Sequence, residues 1–297
     1  MSPRGSRATE PVASPSVSMP FFHPSEDPGP DFSSLIRRLG LQPELPASAL
    51  EGRIAVTHAT TVLAIRHRDG VVMAGDRRAT SGNIIAHRAI EKVFAADRHS
   101  GVAIAGAAGP AMEMVKLFQL QLEHYEKVEG SPLSLEGKAN QLAQMVRSNL
   151  PAAMQGLLVV PIFAGYDTRR ATGRLFQYDA TGGRYEESHY TTSGSGGSLA
   201  GSVIKQGYRD GLERNEAIDL AISALFHAAD DDSATGGPDL IRGIYPVIAT
   251  ITAEGFRRID DDEITRRFAG LVSTLTGRES GTSRIPETST ETGGSSR

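Results

Sequence analysis

Three residues in the first part of the chain, Thr60, Asp76 and Lys92, could together carry out nucleophilic chemistry. A threonine hydroxyl inside a chain is a weak nucleophile, but it becomes a good one when cleavage frees its own α-amino group, because that amine can accept the hydroxyl proton. An α-amino group titrates at roughly 7.7–8.0, so part of it is unprotonated near neutral pH. The functional interpretation therefore depends on whether the Ala59–Thr60 bond is cut.

Asp76 and Lys92 have the residue types that would support such a nucleophile. A nearby lysine lowers the pKa of neighbouring proton donors and stabilises negative charge on the hydroxyl oxygen. Lys92 begins the apolar run Val93-Phe94-Ala95, so it needs a counter-charge, which Asp76 could supply. Taken singly, each residue has an ordinary alternative: Lys92 is a surface lysine and Asp76 caps a turn.

The elements that must position these residues follow from the hydrophobic periodicity. Strands are predicted at residues 61–68, 71–74, 92–95, 101–105, 159–166, 174–179, 185–190, 245–251 and 255–259, and Asp69-Gly70 is a hairpin signal. Helices are predicted at residues 110–125, 135–149, 199–211, 215–229 and 263–275. Groups of strands alternate with pairs of helices, which indicates an α+β fold of antiparallel sheets covered by helix pairs.

The two ends of the chain differ in composition from this central part. Nine of the 16 prolines precede residue 60, and such a segment buries too little apolar surface to offset the entropy lost on ordering. This segment is either a flexible tail or one that docks on another surface through Met19-Pro20-Phe21-Phe22 and a short helix near residues 32–39. Residues 277–297 are rich in Gly, Ser and Thr, and we expect them to be disordered.

Composition excludes several classes of function. The net charge of −4 means that the chain lacks the excess of basic residues typical of nucleic-acid-binding proteins. The absence of cysteine excludes disulfides, thiolate metal sites and a cysteine nucleophile. No apolar run approaches the length of a membrane span, and prolines interrupt the segment where a secretory signal would lie. We therefore expect a cytoplasmic protein with no membrane partner and no cofactor.

Two acidic runs and two histidines offer further candidate sites. The runs at residues 230–232 and 260–262 could bind a cation, with a solvated acidic turn as the alternative, which is favoured for the second run. His58 and His67 lie near Thr60 in sequence. For each histidine we expect a tail or an exposed strand position rather than a catalytic role.

The order of the motifs is specific as well. TTV at residues 60–62, AGDRRAT at 74–80, EKVF at 91–94 and IAGAAG at 104–109 resemble the 20S proteasome β-subunit, especially its actinobacterial form. LEHYEK at 122–127 and AADDDSATGGPDL at 228–240 extend the resemblance to about Gly243. It implies the four-layer α-β-β-α sandwich of N-terminal nucleophile hydrolases, with residues 60–276 as the catalytic domain and 1–59 as a propeptide removed on maturation.

The resemblance also implies roles for individual residues. Thr60 matches the N-terminal nucleophile, and Asp76 and Lys92 match its charged partners. Gly106 matches the glycine whose backbone N–H stabilises the tetrahedral oxyanion. These four residues would bring nucleophile, charge and oxyanion donor together.

Four more residues complete the implied site. Ser195 matches the serine that hydrogen-bonds the α-amine, and Asp232 matches the buried acid near it. Thr235 occupies a position where many members have serine, and we expect its hydroxyl to keep the same hydrogen bonding. Ala59 replaces the usual glycine before the cleavage site, which is expected to slow self-attack without preventing it.

The family positions also imply a specificity pocket for the residue before the scissile bond. Its expected lining is Ala79, Ile90, Phe94, Ile104, Ala108 and Met112. All six are apolar, which predicts cleavage after hydrophobic residues. Thr80 matches the residue whose backbone pairs with an extended substrate.

The implied partners are those of a proteasome core. They are further copies of this chain and α-subunits in stacked heptameric rings (α7β7β7α7), a hexameric ATPase, and unfolded substrates that carry a small protein tag. Two alternatives are the related bacterial threonine protease that forms hexameric double rings with its own ATPase, and a β-subunit that only builds the ring. The second alternative typically loses the threonine, the lysine or the processing site, all of which are present here.

Overall fold

A computed structural model describes residues 60–81 and 84–282, with side chains described as far as Gly277. The strands are β1 Thr61–His67, β2 Gly70–Gly75, β3 Ala79–Ser81, β4 Ile84–His87, β5 Val93–Asp97, β6 Ser100–Gly106, β7 Val159–Asp167, β8 Thr172–Tyr178, β9 Arg184–Glu187, β10 Tyr190–Gly194, β11 Val247–Thr252 and β12 Gly255–Arg258. The helices are α1 Ala108–Glu129, α2 Leu135–Ser148, α3 Leu150–Ala153, α4 Gly197–Gly207, α5 Arg214–Asp231 and α6 Asp261–Thr282.

The strands form two five-stranded sheets and one small hairpin. The first sheet has the order β10-β1-β2-β11-β12, the second has the order β5-β6-β7-β8-β9, and β3 pairs with β4. Every pairing is antiparallel. The structure thus confirms the predicted antiparallel α+β architecture.

Alternation along the strands divides the buried side chains between two faces of each sheet. In β1, Leu63 and Ile65 pack with α4, α5 and α6, whereas Val62 and Ala64 face the second sheet. In the second sheet, Phe163 faces α1 and α2, and its neighbour Ile162 faces the first sheet. The order of layers is therefore helices, first sheet, second sheet and helices, with an apolar layer between each neighbouring pair. This confirms the four-layer sandwich.

A buried arginine ties several elements of the second sheet together. Arg174 on β8 donates hydrogen bonds to Glu186 on β9, Asp167 at the end of β7 and Glu136 in the first turn of α2. Its side chain is 5% exposed, whereas two of its three partners are about half exposed. The planar guanidinium can serve three carboxylates at once because it carries five donors in a fixed fork.

The structure departs from the sequence-based expectations at several boundaries. The strands β3 and β4 and the short helix α3 were not predicted. The run predicted as one strand at residues 185–190 is divided between β9 of the second sheet and β10 of the first. Helix α4 ends at Gly207 rather than 211, and α6 reaches Thr282, so residues 277–282 of the expected disordered tail are helical.

Two further expectations concern parts of the chain that the structure does not describe. The propeptide expected at residues 1–59 and the tail from residue 283 onward lie outside the described residues. Within the described ranges, no helix combines the length and the apolar character that crossing a bilayer requires.

Candidate active site

Thr60 lies immediately before β1 and is buried, with 5% of its surface exposed. The next residue, Thr61, pairs with Gly194 of β10, and this register fixes the start of the strand. Gly194 has φ +98°, and a Cβ there would lie 1.8 Å from the carbonyl oxygen of Thr60. Only glycine lets β10 approach Thr60 this closely, so the backbone of β10 helps to fix the position of the threonine.

Asp76 and Lys92 form the ion pair that the sequence predicts. Lys92 Nζ donates to Asp76 Oδ1 at 2.6 Å and to the carbonyl oxygen of Arg78 at 2.6 Å. The Asp76 side chain is fully buried and that of Lys92 is 4% exposed. The second lysine hydrogen bond matters because a buried ammonium must find partners for its protons as well as a counter-charge.

The carboxylate of Asp76 accepts hydrogen bonds from four chain segments. Oδ1 accepts from Lys92 Nζ and from the backbone N–H of Thr61 at 2.9 Å. Oδ2 accepts from the N–H of Arg78 at 2.9 Å and from that of Gly236 at 2.8 Å. Three of the four donors are backbone groups, so the orientation of the carboxylate is set by the fold itself.

Burial alters the acidity of Lys92. Desolvation lowers the pKa of the Lys92 ammonium, and the charge and hydrogen bond of Asp76 oppose that change without cancelling it. A lysine with a lowered pKa gives up a proton more readily than a surface lysine does, while its charged form still has a counter-ion. This is the electrostatic setting in which a neighbouring hydroxyl can be activated.

A second polar network connects four side chains beside Thr60. Ser195 Oγ donates to Asp232 Oδ2 at 2.5 Å, and Thr235 Oγ1 donates to the same oxygen at 2.6 Å. The hydroxyls of Thr235 and Thr61 are 2.6 Å apart. Ser195 Oγ also lies 3.5 Å from the carbonyl oxygen of Thr60, a long hydrogen bond. The expected hydrogen bonding of Thr235 is therefore present.

Asp232 differs from expectation in its exposure. It was expected to be buried, but it is only half-buried. Burial raises the pKa of the Asp232 carboxyl, but hydrogen bonds from Ser195, Thr235 and the N–H of Ala234 outweigh that effect, so the pKa lies below its ordinary value. The carboxylate is thus held in its charged form at the edge of the site.

Sequence reasoning missed the part that Thr61 takes in both networks. The sequence analysis placed residue 61 at the start of a predicted strand and gave it no further role, yet the Thr61 N–H donates to Asp76 and its hydroxyl contacts Thr235. The side chain is completely buried. The one signal available in the sequence was a polar residue at a strand position otherwise filled by apolar side chains.

An apolar recess of about 380 Å³, including space open to solvent, begins at Thr60 and Lys92. Its remaining lining consists of Ala79, Thr80, Ile90, Ile104, Gly106, Ala108, Ala111 and Met112. Five of the six expected apolar residues are present, together with Thr80 and Gly106. Ala111, one turn along α1 from Ala107, was not predicted.

Phe94 is the expected pocket residue that does not line the recess. Its side chain packs against the apolar layer between the second sheet and helices α1 and α2, the same layer to which the recess residues Ile104, Ala111 and Met112 belong. The preceding residue, Val93, faces the other sheet. Because side chains alternate along a strand, Phe94 must point away from that interface.

Gly106 lies at the rim of the recess where β6 leads into α1. It has φ +111°, and a Cβ there would lie 2.1 Å from the carbonyl oxygen of Leu158. Both the backbone conformation and the lack of space require glycine at this position. The bare backbone beside Thr60 is compatible with the predicted oxyanion donor.

The remaining candidates lie elsewhere or outside the described residues. His67 was expected to be exposed, but it is buried at the end of β1, and burial lowers its pKa to about 4. In the described ranges, no group of three or more His, Cys, Asp or Glu side chains is arranged to hold a metal ion. His58 and Ala59 lie outside the described residues.

Two stacked antiparallel sheets between helix layers, with a threonine at the start of the first strand beside a buried Lys–Asp pair, define the class of N-terminal nucleophile hydrolases. Comparison with known proteins specifies the family. The family model described as "Proteasome subunit" matches residues 56–241. The chain belongs to the proteasome subunit family.

Three of the similar proteins are named proteasome subunit beta and come from actinobacteria. A proteasome subunit beta from Acidimicrobium ferrooxidans is 60% identical over 247 residues, which cover 82% of this chain and 90% of the relative. The Streptomyces griseus protein of the same name is 59% identical over 214 residues, covering 72% of this chain and 76% of the relative. The Acidothermus cellulolyticus protein of that name is 53% identical over 249 residues, covering 79% and 84%.

Proposed function

We propose that this chain is a catalytic proteasome β-subunit, a threonine endopeptidase that is activated by cleavage of its own Ala59–Thr60 bond. The observation that carries the proposal is the position of Thr60, which shares an apolar recess with Lys92 while Lys92 is paired to Asp76. A subunit that only builds a ring has no need for a buried charge pair, which costs desolvation energy.

Maturation would use the hydroxyl of Thr60 as an internal nucleophile. Thr60 Oγ1 attacks the carbonyl carbon of Ala59, and its proton passes to the Thr60 nitrogen as the C–N bond breaks. The product is an ester between Ala59 and the Thr60 oxygen. Water hydrolyses that ester, which leaves a carboxylate on Ala59 and a free α-amine on Thr60.

Peptide cleavage would then repeat this chemistry on substrate. The free α-amine of Thr60 accepts the proton of its own hydroxyl while the oxygen attacks the substrate carbonyl. Lys92 stabilises negative charge on that oxygen, and the N–H of Gly106 is our candidate donor to the tetrahedral oxyanion. The amine then returns the proton to the leaving nitrogen, and water hydrolyses the acyl-threonine.

The hydroxyl and carboxylate network would orient the α-amine. Ser195 lies within 3.5 Å of the Thr60 backbone and is fixed by Asp232. Thr235 shares the same carboxylate oxygen and so limits its rotation. We assign Ser195 as the contact of the amine, and Asp232 and Thr235 as positioning residues.

The recess would select the substrate residue before the scissile bond. Its side chains from Ala79, Ile90, Ile104, Ala108, Ala111 and Met112 are apolar. A charged substrate side chain placed there would lose its water without gaining a partner. We expect faster hydrolysis of fluorogenic peptides ending in Leu or Tyr than of those ending in Arg or Glu, and the reverse order would contradict this assignment.

The proposed assembly is the α7β7β7α7 core, located in the cytoplasm, with a hexameric ATPase that delivers unfolded or tagged proteins. Its support is the similarity to proteins named proteasome subunit beta. Formation of hexameric double rings by the purified chain without an α-subunit would favour the related bacterial threonine protease instead.

Co-expression with an α-subunit and intact-mass measurement would test the proposal directly. The expected β-chain begins at Thr60 and ends at Arg297. Thr60→Ala should stay uncut and inactive, and Thr60→Ser should keep some activity. Thr274→Ala, on exposed helix α6, is a matched control that should be processed normally. An uncut chain with peptidase activity would overturn the mechanism.

A further inference from the structure

Three arginines line a second pocket next to the buried charge pair. Arg77 and Arg78 follow β2, and Arg88 follows β4. The pocket encloses about 330 Å³, including space open to solvent, and its other wall comes from the segments 236–239 and 244–246. None of these arginines forms an ion pair with another described residue, although most other arginines of the described domain have acidic partners.

The charge in this pocket is unbalanced. The lining side chains hold three guanidinium groups and one carboxylate, that of Asp239. Asp239 is already bonded to Arg242 at 2.7 Å and accepts the N–H of the same residue. The guanidinium of Arg78 also interacts electrostatically with the Asp232 carboxylate, so Arg77 and Arg88 are the two positive charges that form no ion pair with a described residue.

Two of the three arginines are also held by backbone carbonyl oxygens, whereas Arg88 is exposed. Arg77 donates to the carbonyl oxygen of Ala89, and Arg78 donates to that of Ser233 at 2.8 Å. The Nε of Arg77 is buried, and within the described ranges it has no hydrogen-bond partner. A buried donor without a partner costs free energy, which a ligand that accepts from it would recover.

We propose that this pocket binds a phosphate-type oxyanion. Guanidinium groups bind phosphate oxygens through paired N–H donors, and a phosphate carries a charge of about −1.5 to −2 near pH 7, which matches the unbalanced charge. The source can be inorganic phosphate or a phosphorylated side chain, since both present the same group. The proposal does not rest on the peptidase function.

The pocket is connected to the buried Asp76–Lys92 pair through two of its lining residues. Arg78 and Gly236 line the pocket, and their backbone N–H groups both donate to Asp76 Oδ2. A bound oxyanion would thus lie beside the two residues whose backbone N–H groups orient Asp76. Binding is expected to hold these two donors in place.

Isothermal titration calorimetry on the full chain with Thr60→Ala would test the site, with ionic strength kept constant by chloride. The probes are inorganic phosphate, N-acetyl-phosphoserine amide and acetate. The variants are Arg77→Gln and Arg88→Gln. The matched controls are Arg209→Gln and Arg257→Gln, each of which removes the same single charge from an exposed, acid-paired arginine.

We expect saturable binding of phosphate or of the phosphoserine probe, and the tighter of the two identifies the source. Each pocket substitution should weaken that binding about tenfold, the lower end of what a hydrogen bond to a charged group contributes. Each control substitution should leave the binding within twofold of the parent chain. Absence of saturable binding by both phosphate probes, equal losses in the control, or acetate binding as tight as phosphate would overturn the proposal.

Discussion

Replacing Asp76 by Asn tests the charge balance of the buried pair. The substitution keeps the shape of the side chain but removes the negative charge that lies 2.6 Å from Lys92 Nζ. Removing one partner of a buried ion pair costs about 3–5 kcal/mol. Lys92 can limit this cost by releasing its proton, which at pH 7 requires at most about 4.8 kcal/mol, or about 1.36 kcal/mol for each pH unit below the ordinary lysine pKa of 10.5.

The pH dependence of this penalty separates charge from packing. In the variant, burial lowers the pKa of Lys92 with no carboxylate to oppose it. The penalty is therefore full below the folded-state pKa of the lysine and disappears as pH rises toward 10.5. At pH 9 the charge-related cost should be at most about 2 kcal/mol. A pH-independent part of about 1–3 kcal/mol should persist, because the Asn amide cannot accept from all the backbone donors.

The assay is denaturant unfolding of chains that carry Thr60→Ala, so that every variant keeps the same length. The free energy of unfolding, measured at pH 7, 8 and 9, gives the slope of the penalty against pH. The double variant Asp76→Asn with Lys92→Met should lose the slope, because it has no buried ammonium. An equal penalty at pH 7 and pH 9, or a slope that survives in the double variant, would refute the reasoning.

Three other perturbations follow from single contacts. Gly194→Ala should abolish maturation, since its Cβ would overlap the carbonyl oxygen of Thr60, whereas Gly109→Ala has open space and should mature normally, as measured by intact mass. Burial lowers the pKa of His67 to about 4, so the folded protein holds this histidine neutral where the unfolded chain would protonate it. The free energy of unfolding should therefore be highest above pH 6.5 and fall as pH falls toward 4, by up to about 2 kcal/mol at pH 5. This loss should be absent in His67→Gln. Arg174→Lys should lower the free energy of unfolding by about 1–3 kcal/mol, because one ammonium cannot replace the guanidinium that donates to three carboxylates. Urea unfolding measures this change, and an unchanged midpoint would contradict the prediction.

The layered fold could be predicted because its information is local. In strands such as β1 and helices such as α5, apolar residues recur at a regular spacing over six residues or more, and this spacing predicts which faces are buried. The strands that were missed lack this signal. β4 has four largely exposed residues, and β10 is the polar run Tyr190–Gly194, whose pairing with β1 depends on contacts distant in sequence.

One side chain was placed wrongly although the sequence held the correct answer. His67 continues the alternation of Leu63 and Ile65, which face the helices, so its burial follows from strand period alone. For His67, an expectation of an exposed position took the place of the strand period, which was the more direct constraint.

The geometry around Asp76 also bears on when the site is formed. Its four donors are the N–H groups of Thr61, Arg78 and Gly236 and the ammonium of Lys92, and none of them is the α-amine of Thr60. The charge pair therefore needs no free amine for its assembly. Cleavage would add a proton acceptor to a site whose charges are already in place, and self-attack would use the same Lys92 that we propose to act on substrate. A Thr60→Ala chain should accordingly keep the Asp76–Lys92 contact, so that its loss of activity reflects the missing nucleophile rather than a collapsed site.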